Sequence, residues 1–425
     1  MLSIFIFKSN ARGMQYGMGT YIRELTEALL VYTGINIYII TYHSSEFNEF
    51  SIEAISERYF KVNIPSPRLT FLHNNSSEKK YASAVVNLLA DVISKNEEIV
   101  FQMNYIDDFP IIKKLKEKYT HPIISVVHFS QWEQLFNGNK QKLNGLNIDI
   151  PANNIEFTIF REKEMYQLSD HIISVNRFMK DFIVEEYGIL PDKISLVKNG
   201  INFSRFPEIS QGEKLKLKHN LGFSTHEKII LFSGRIDPDK GIFFLIDAFI
   251  DACKYREDLR LVLIGQGKIQ ECLQKCQLFY GKITFTGFLS PERVMSFYQI
   301  ADVGVVPSIY EPCSYTRLEM IANKIPLILS RIDGFSDMFD DNQCMFIDPI
   351  VSADGEISFN NKEFSNAILS LAKDDQMAEN LTINAYKNLV IKFSASRMAE
   401  EMNNLYHTLI RSNKMNLEYE KNERR

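Results

Sequence analysis

Cysteine is scarce in this 425-residue chain: there are five, an odd number, all in the second half (Cys253, Cys272, Cys276, Cys313 and Cys344). No C-x-x-C occurs, and although Cys272 and Cys276 have the spacing of one helix face, no histidine stands beside them. This argues against a disulfide framework or a zinc module and for buried thiols in a reducing, cytoplasmic compartment. Thirteen Pro and 19 Gly are too few for long flexible linkers. Charge of one sign is lacking too: 48 basic against 53 acidic residues leave a net −5, so no basic footprint calls for nucleic acid. No apolar stretch approaches the roughly 18 residues of a membrane span. The first run, within MLSIFIFKSN, is too short and lacks the basic flank of a secretory signal, so it reads as a buried first strand.

What is present is ordinary globular composition, 45% hydrophobic and 24% charged. At roughly 100–200 residues per domain, the length implies two domains. Short β-branched or aromatic runs alternate with amphipathic segments. Strands are expected at Leu2–Phe7, Ile35–Thr41, Ile123–His128, His171–Val175 and Ile194–Val197, then at Lys228–Phe232, Leu261–Ile264, Ile283–Thr286, Val303–Val306 and Pro326–Leu329. Helices are expected between them, at Tyr21–Leu30, Tyr81–Ser94, Phe178–Tyr187, Ile242–Lys254, Pro291–Ile300 and Arg317–Asn323. Strands apolar on both faces and separated by helices mean βαβ units, an α/β chain with parallel sheets. Ten strands exceed one comfortable sheet, and the polar stretch Lys198–Asn220 divides them. The expected domains are 1–204, 205–395 and a C-terminal helical segment 396–425 that could pack back on the first.

Ligands of open α/β sheets collect at the carboxyl ends of the strands, which makes the residues just after each strand the candidates. Gly13, Gly17 and Gly19 follow the first strand and precede a helix, where free amides suit an anion. A tight turn is the alternative, and the spacing is not that of a nicotinamide-cofactor loop. Gly234, Arg235 and Lys240 lie in SGRIDPDKG before the helix at Ile242, two cations suited to a diphosphate. In SIYEPCSYTRLEM, Glu311 and Glu319 flank a helix start at which Cys313, Ser314, Tyr315 and Thr316 present backbone amides, with Pro312 breaking the chain before it. His128 stands at a strand end and could bond a sugar or phosphate near neutral pH, or merely cap the strand.

Taken together these motifs resemble the retaining nucleotide-sugar glycosyltransferases of the GT-B fold, glycosyltransferase family 4. Gly234-Arg235 through Lys240-Gly241 is similar to that family's phosphate loop, and Glu311 with Glu319 to its E-x7-E signature. LVLIGQG (Leu261–Gly267), ITFTGFL and SDHIISVNRFMK…LVKNGIN resemble its remaining blocks. The resemblance implies two Rossmann-like doubly wound domains facing a cleft, an acceptor-side one and a donor-side one. It implies that Arg235 and Lys240 bind the donor diphosphate, and that Glu319 holds the ribose hydroxyls. Glu311 would contact the transferred sugar, with the Ser314, Tyr315 and Thr316 amides on sugar and phosphate. The loop at Phe288 would meet the base, Gly17 and Gly19 would let backbone reach the diphosphate, and His128 would sit beside the sugar's hydroxymethyl group.

No cofactor and no metal is implied, only a nucleotide-diphosphate sugar as co-substrate, with UDP the favoured nucleotide. The sequence departs from the pattern at Pro312-Cys313-Ser314, where Ser314 replaces a glycine, and at Asn137–Phe160, a polar insertion without a counterpart. The acceptor stays open among glycan, lipid, peptide and small molecule. A non-catalytic accessory subunit or a nucleotide-sugar epimerase on the same fold are the rival readings. The basic run Lys113–His121 could touch anionic lipid, but intervening opposite charges favour a solvated helix face.

Overall fold

The computed structural model describes residues 1–9, 17–44, 46–66, 75–311 and 314–423. The chain folds as two compact units. One comprises Met1–Gln131, Gly145–Gly200 and Ala395–Arg425, the other Trp132–Asn144 and Ile201–Ser394.

In the first unit eight strands form one sheet: β1 (Leu2–Ser9), β2 (Ile35–Ser44), β3 (Ser51–Ser56), β4 (Tyr59–Pro65), β5 (Glu98–Met103), β6 (Ile123–Val127), β7 (His171–Ser174) and β8 (Ile194–Leu196). Their order is β3-β4-β2-β1-β5-β6-β7-β8, parallel except for the antiparallel edge strand β3. The helices in this part of the chain are α1 (Gly17–Leu29), α2 (Asn75–Leu88), α3 (Ala90–Ser94), α4 (Phe109–Lys118), α5 (Gln131–Phe136), α6 (Asn154–Leu168) and α7 (Arg177–Tyr187). In-register pairing puts Phe5, Tyr38 and Phe60 on one face, where their rings stack at 4.6 and 4.8 Å. Such cross-strand aromatic pairs lock the register of neighbouring strands.

In the second unit the sheet is fully parallel, ordered β11-β10-β9-β12-β13-β14. Its strands are β9 (Lys228–Ser233), β10 (Leu259–Ile264), β11 (Ile283–Gly287), β12 (Val303–Val306), β13 (Leu327–Ser330) and β14 (Met345–Ile347), followed by a hairpin of β15 (Pro349–Val351) and β16 (Ile357–Phe359). The helices are α8 (Gln211–Asn220), α9 (Ile242–Ala252), α10 (Ile269–Cys276), α11 (Pro291–Ile300), α12 (Tyr315–Ala322), α13 (Asp333–Ser336), α14 (Asn361–Lys373) and α15 (Asp375–Lys392). Ile230, Phe232, Leu261, Leu263 and Val305 pack with Leu245, Phe249, Phe364 and Ile368 into its core. Cys253, Cys272, Cys276 and Cys344 are free and buried, whereas Cys313 lies outside the described residues.

The last helix, α16 (Ala395–Glu423), packs within the first unit. Met398, Ala399, Met402 and Tyr406 form a fully buried stripe at helical spacing. The passage from first to second unit falls at 200/201, against 204/205 expected. The stretch 132–144, placed in the first domain by sequence, belongs to the second unit. The Asn139 side-chain amide donates to the Asp354 carbonyl at 2.7 Å, and Lys142 pairs with Glu356 at 2.7 Å. The last ten residues of the polar stretch Lys198–Asn220 are the capped helix α8, whose Ser210 and Glu213 close a capping box. No helix among the described residues is long and apolar enough to cross a membrane.

Candidate functional site

In the second unit the carboxyl ends of β11, β10 and β9 lie backbone against backbone. The Gly265 amide donates to the Gly287 carbonyl at 3.0 Å, and a Cβ on Gly265 would fall 1.8 Å from the Gly234 carbonyl oxygen. Only glycine fits there, at a φ of 140°. This row places Phe288, 55% exposed, at one end and Arg235 at the other. Beyond Arg235, a short 3-10 turn at Pro238–Lys240 runs through left-handed Gly241 into α9.

The two cations do not stand alone. Arg235 donates to Asp237 and to Asp239, each at 2.6 Å. Burial works against its charge, but Asp239, Asp237 and Tyr310 hold the guanidinium's pKa above its ordinary value. Lys240 pairs with Glu311 at 2.6 Å, lies 3.9 Å from Asp239 and sits 5.8 Å from the centre of the Tyr310 ring. The backbone amide of Ile309 donates to the Asp239 carbonyl at 3.0 Å, tying the β12–α12 loop to the 234–241 loop. The two cations therefore face three carboxylates, and a diphosphate would exchange partners with them rather than enter an uncompensated positive pocket.

Glu319 lies within α12, and its carboxylate accepts the Tyr298 hydroxyl at 2.8 Å. Burial first, then the Glu319 charge, pushes the Tyr298 phenol well above its usual pKa, while Ser233 and Thr316 reach the same hydroxyl and oppose the shift. Ser233 immediately precedes Gly234, so the 234–241 loop is tied at one end through Tyr298 to Glu319 in α12, and at the other through Lys240 to Glu311 in the segment before that helix. Ser314 is the N-cap of α12 in extended conformation and makes no side-chain cap bond. The first-turn amides that follow, at Tyr315 and Thr316, have no acceptor within the helix. Pro312 and Cys313 lie outside the described residues.

The first unit carries the remaining candidates. Gly17 and Gly19 open α1, while Gly13 lies outside the described residues. One turn further, the Tyr21 ring meets the His128 imidazole edge-on at 4.5 Å. His128 follows β6 rather than ending it. Its Nε2 lies 3.3 Å from Asn104 Oδ1, and desolvation pulls its pKa down to about 3. A cavity of about 10 Å³, room for about one water, is lined by Asn104, His128, Gln131, Glu162 and Tyr166 among others. Buried Glu162 accepts from Ser130 Oγ, Gln131 N and the Tyr166 and Tyr187 hydroxyls, at 2.9–3.0 Å.

Sequence reasoning missed Tyr298, Asp237, Asp239, Tyr310 and Asn104. The two aspartates were visible in RIDPDKG. Tyr298 resembles any apolar-face residue of α11, and Asn104 follows a strand that was itself overlooked. The lysines of α4 are engaged locally: Lys114 with Glu117 and Lys116 with Asp170, each at 2.6 Å, and Lys113 over the Phe109 ring.

A sequence profile described as Glycosyltransferase Family 4 matches residues 16–205, and one described as Glycosyl transferases group 1 matches residues 213–388. Among curated relatives, an uncharacterized glycosyltransferase of Methanocaldococcus jannaschii is 28% identical over 242 residues, covering 56% of this chain and 60% of that one. Mannosylfructose-phosphate synthase of Agrobacterium fabrum is 24% identical over 80% of this chain and 76% of its own. The alignments thus span 60% and 76% of these two relatives' lengths. Among solved structures, sucrose-phosphate synthase of Thermosynechococcus elongatus superposes with a TM-score of 0.78 at 18% identity, over 97% of this chain and all of the other. HepE of Anabaena, solved in complex with UDP and glucose, gives 0.71 at 13% identity, over 96% of this chain and 100% of its own. With both sheets accounted for by matching profiles and by GT-B neighbours, the chain belongs to the group 1 and family 4 glycosyltransferases.

Proposed function

We propose that this protein is a retaining, metal-independent hexosyltransferase that uses a nucleotide-diphosphate sugar, UDP being the favoured nucleotide. The acceptor is a hydroxyl-bearing molecule. The observation that carries the reading is the double junction in the second unit, Lys240 to Glu311 and Ser233–Tyr298 to Glu319. It gathers two cations, a helix start and two carboxylates around the ends of β9 and β12. HepE, a structural neighbour, is described in complex with UDP-glucose, which supports a donor of that class.

The chemical problem is breaking the bond between an anomeric carbon and a diphosphate oxygen. Negative charge grows on the leaving diphosphate, so preorganised donors aimed there supply most of the stabilisation. Arg235, Lys240 and the first-turn amides of α12 are such donors. The acceptor hydroxyl forms its bond to the anomeric carbon from the face the diphosphate leaves, and its proton passes to a phosphate oxygen. The configuration is retained and no side chain need serve as a dedicated base. Glu319 holds ribose hydroxyls, and Glu311 both positions Lys240 and faces the sugar.

The test is a panel of nucleotide sugars with the full chain, by thermal shift and then by mass increase on candidate acceptors, with and without EDTA. Slow release of nucleoside diphosphate and an acceptor product of unchanged anomeric configuration are expected, insensitive to EDTA. Interconversion of sugars would establish an epimerase instead. Binding without turnover across donors and acceptors would establish an accessory module.

A further inference from the structure

Directionality in a buried hydrogen-bond chain is fixed once one member can only accept, and the first unit contains such a chain. The Phe7 carbonyl, an acceptor without a proton, receives the Asn104 side-chain amide at 3.0 Å. That contact orients the amide: its nitrogen faces Phe7, so Oδ1 faces the other way. There Oδ1 meets two nitrogens, Gln102 Nε2 at 3.2 Å and His128 Nε2 at 3.3 Å. A carbonyl oxygen offers no hydrogen, so both nitrogens must donate. The Gln102 amide is oriented in turn, its oxygen receiving the Tyr406 hydroxyl from the buried stripe of α16. The backbone of Asn104 is pinned from the opposite side, since Asp108 Oδ2 accepts the Asn104 and Tyr105 amides at 3.0 and 3.1 Å.

We infer that Asn104, backed by Gln102 and Tyr406, sets the tautomer of His128: the ring proton resides on Nε2, and Nδ1 presents a lone pair. Desolvation keeps the ring neutral, so it carries a single proton. His128 is thereby an acceptor at Nδ1 and not an acid. It can take a hydrogen bond from a substrate hydroxyl, and it repels an acceptor oxygen at the same place. That last step rests on the proposed transferase reading, whereas the tautomer does not. Asn104, Gln102 and Tyr406 are positioning residues, and the last of them belongs to a helix almost 280 positions downstream of His128 in the chain.

Long-range 15N–1H spectra of the full chain, 15N-labelled at histidine, test the inference, with His128 assigned by the signal lost in His128→Gln. The expected result is a protonated Nε2 and an unprotonated Nδ1, unchanged from pH 8 to pH 5. A protonated Nδ1, or an imidazolium in that range, overturns it. Asn104→Leu removes the acceptor and should let the other tautomer appear, with turnover reduced by tenfold or more. Asn104→Asp keeps an acceptor and should keep the Nε2 proton, so a switch to the Nδ1 form in that variant also counts against the inference. Tyr406→Phe should leave the Nε2 proton in place while weakening its protection from solvent exchange, and unchanged protection removes α16 from the chain of influence. If the spectra are as expected but His128→Gln turns over like wild type, the transferase role of His128 fails and the tautomer assignment stands.

Discussion

Replacing Lys240 by alanine separates the stability of the second unit from its chemistry. The Lys240–Glu311 pair spans 2.6 Å, with side chains 17% and 16% exposed. Fully exposed pairs contribute about 0.2–1 kcal/mol, while removing one partner of a fully buried pair costs about 3–5 kcal/mol. This pair lies between the limits, close to the about 1.5–3 kcal/mol of a hydrogen bond to a charged group. Lys240→Ala should therefore cost about 2 kcal/mol, because it leaves Glu311 without its cation. For a domain of about 150–250 residues that lowers the melting temperature by roughly 4–8 °C. Lys240→Ala/Glu311→Ala removes the orphaned charge and should recover most of the loss. Turnover should not recover, since in the proposed mechanism the ammonium opposes charge on the leaving diphosphate, and losing one such donor costs about 100- to 1,000-fold. Calorimetry of wild type, both single variants and the double variant gives the coupling energy, and initial rates with a donor sugar give the catalytic effect. Additive stability losses, or wild-type turnover in Lys240→Ala, would refute the reasoning.

Three further outcomes are expected. Tyr298→Phe removes the hydroxyl that donates to Glu319 and should raise the Kd for nucleoside diphosphate several-fold in isothermal titration, with a melting temperature lower by a few degrees, as for loss of a hydrogen bond to a charged group. Gly241→Ala should destabilise the second unit, since a left-handed backbone costs a non-glycine residue about 1–2 kcal/mol and the new Cβ would stand 1.9 Å from the Pro307 carbonyl oxygen; denaturant unfolding checks it. Burial pushes the Asp108 carboxyl up to about 8, so its contribution is fully present below its ordinary pKa of 3.8 and is lost as pH rises to about 8. His128, depressed from 6.5 to about 3, contributes stability that is present above 6.5 and lost as pH falls. Of these two groups only Asp108 changes its contribution above 6.5, by at most about 1.4 kcal/mol per pH unit. Asp108→Asn should flatten urea-measured stability between pH 6.5 and 8.

Much of the fold was legible because parallel strands buried on both faces read as uninterrupted apolar runs, as in β1, β9 and β12. The missed strands broke that rule. β5 carries Gln102 inside its short run, where the side chain pairs with Tyr406 and Asn104. β3 is an edge strand exposed along most of its length, so nothing selects for apolar residues there. Of the candidate site, sequence exposed the residue types whose chemistry is unusual at a strand end: Arg235, Lys240, Glu311 and Glu319. It did not expose their partners. Asp237 and Asp239 stand beside the cations in RIDPDKG without spacing alone showing that they pair with Arg235, and Tyr298 became part of the site only when α11 brought it beside α12. Pairing in three dimensions decides whether a cation is uncompensated, and spacing along the chain does not carry that information.

The stretch 132–144 has a practical corollary. It is flanked on both sides by chain of the first unit, yet it donates to Asp354, pairs with Glu356 and brings Gly138 so near Tyr310 that an added Cβ would lie 3.0 Å from the tyrosine's. Neither unit of this protein is a contiguous gene segment. A fragment excised at 201–394 would strip the cover from the residue preceding Glu311, so the second unit cannot be borrowed by cutting at the junction alone. Chimeras that trade first units between relatives would have to carry this thirteen-residue graft along with the second unit.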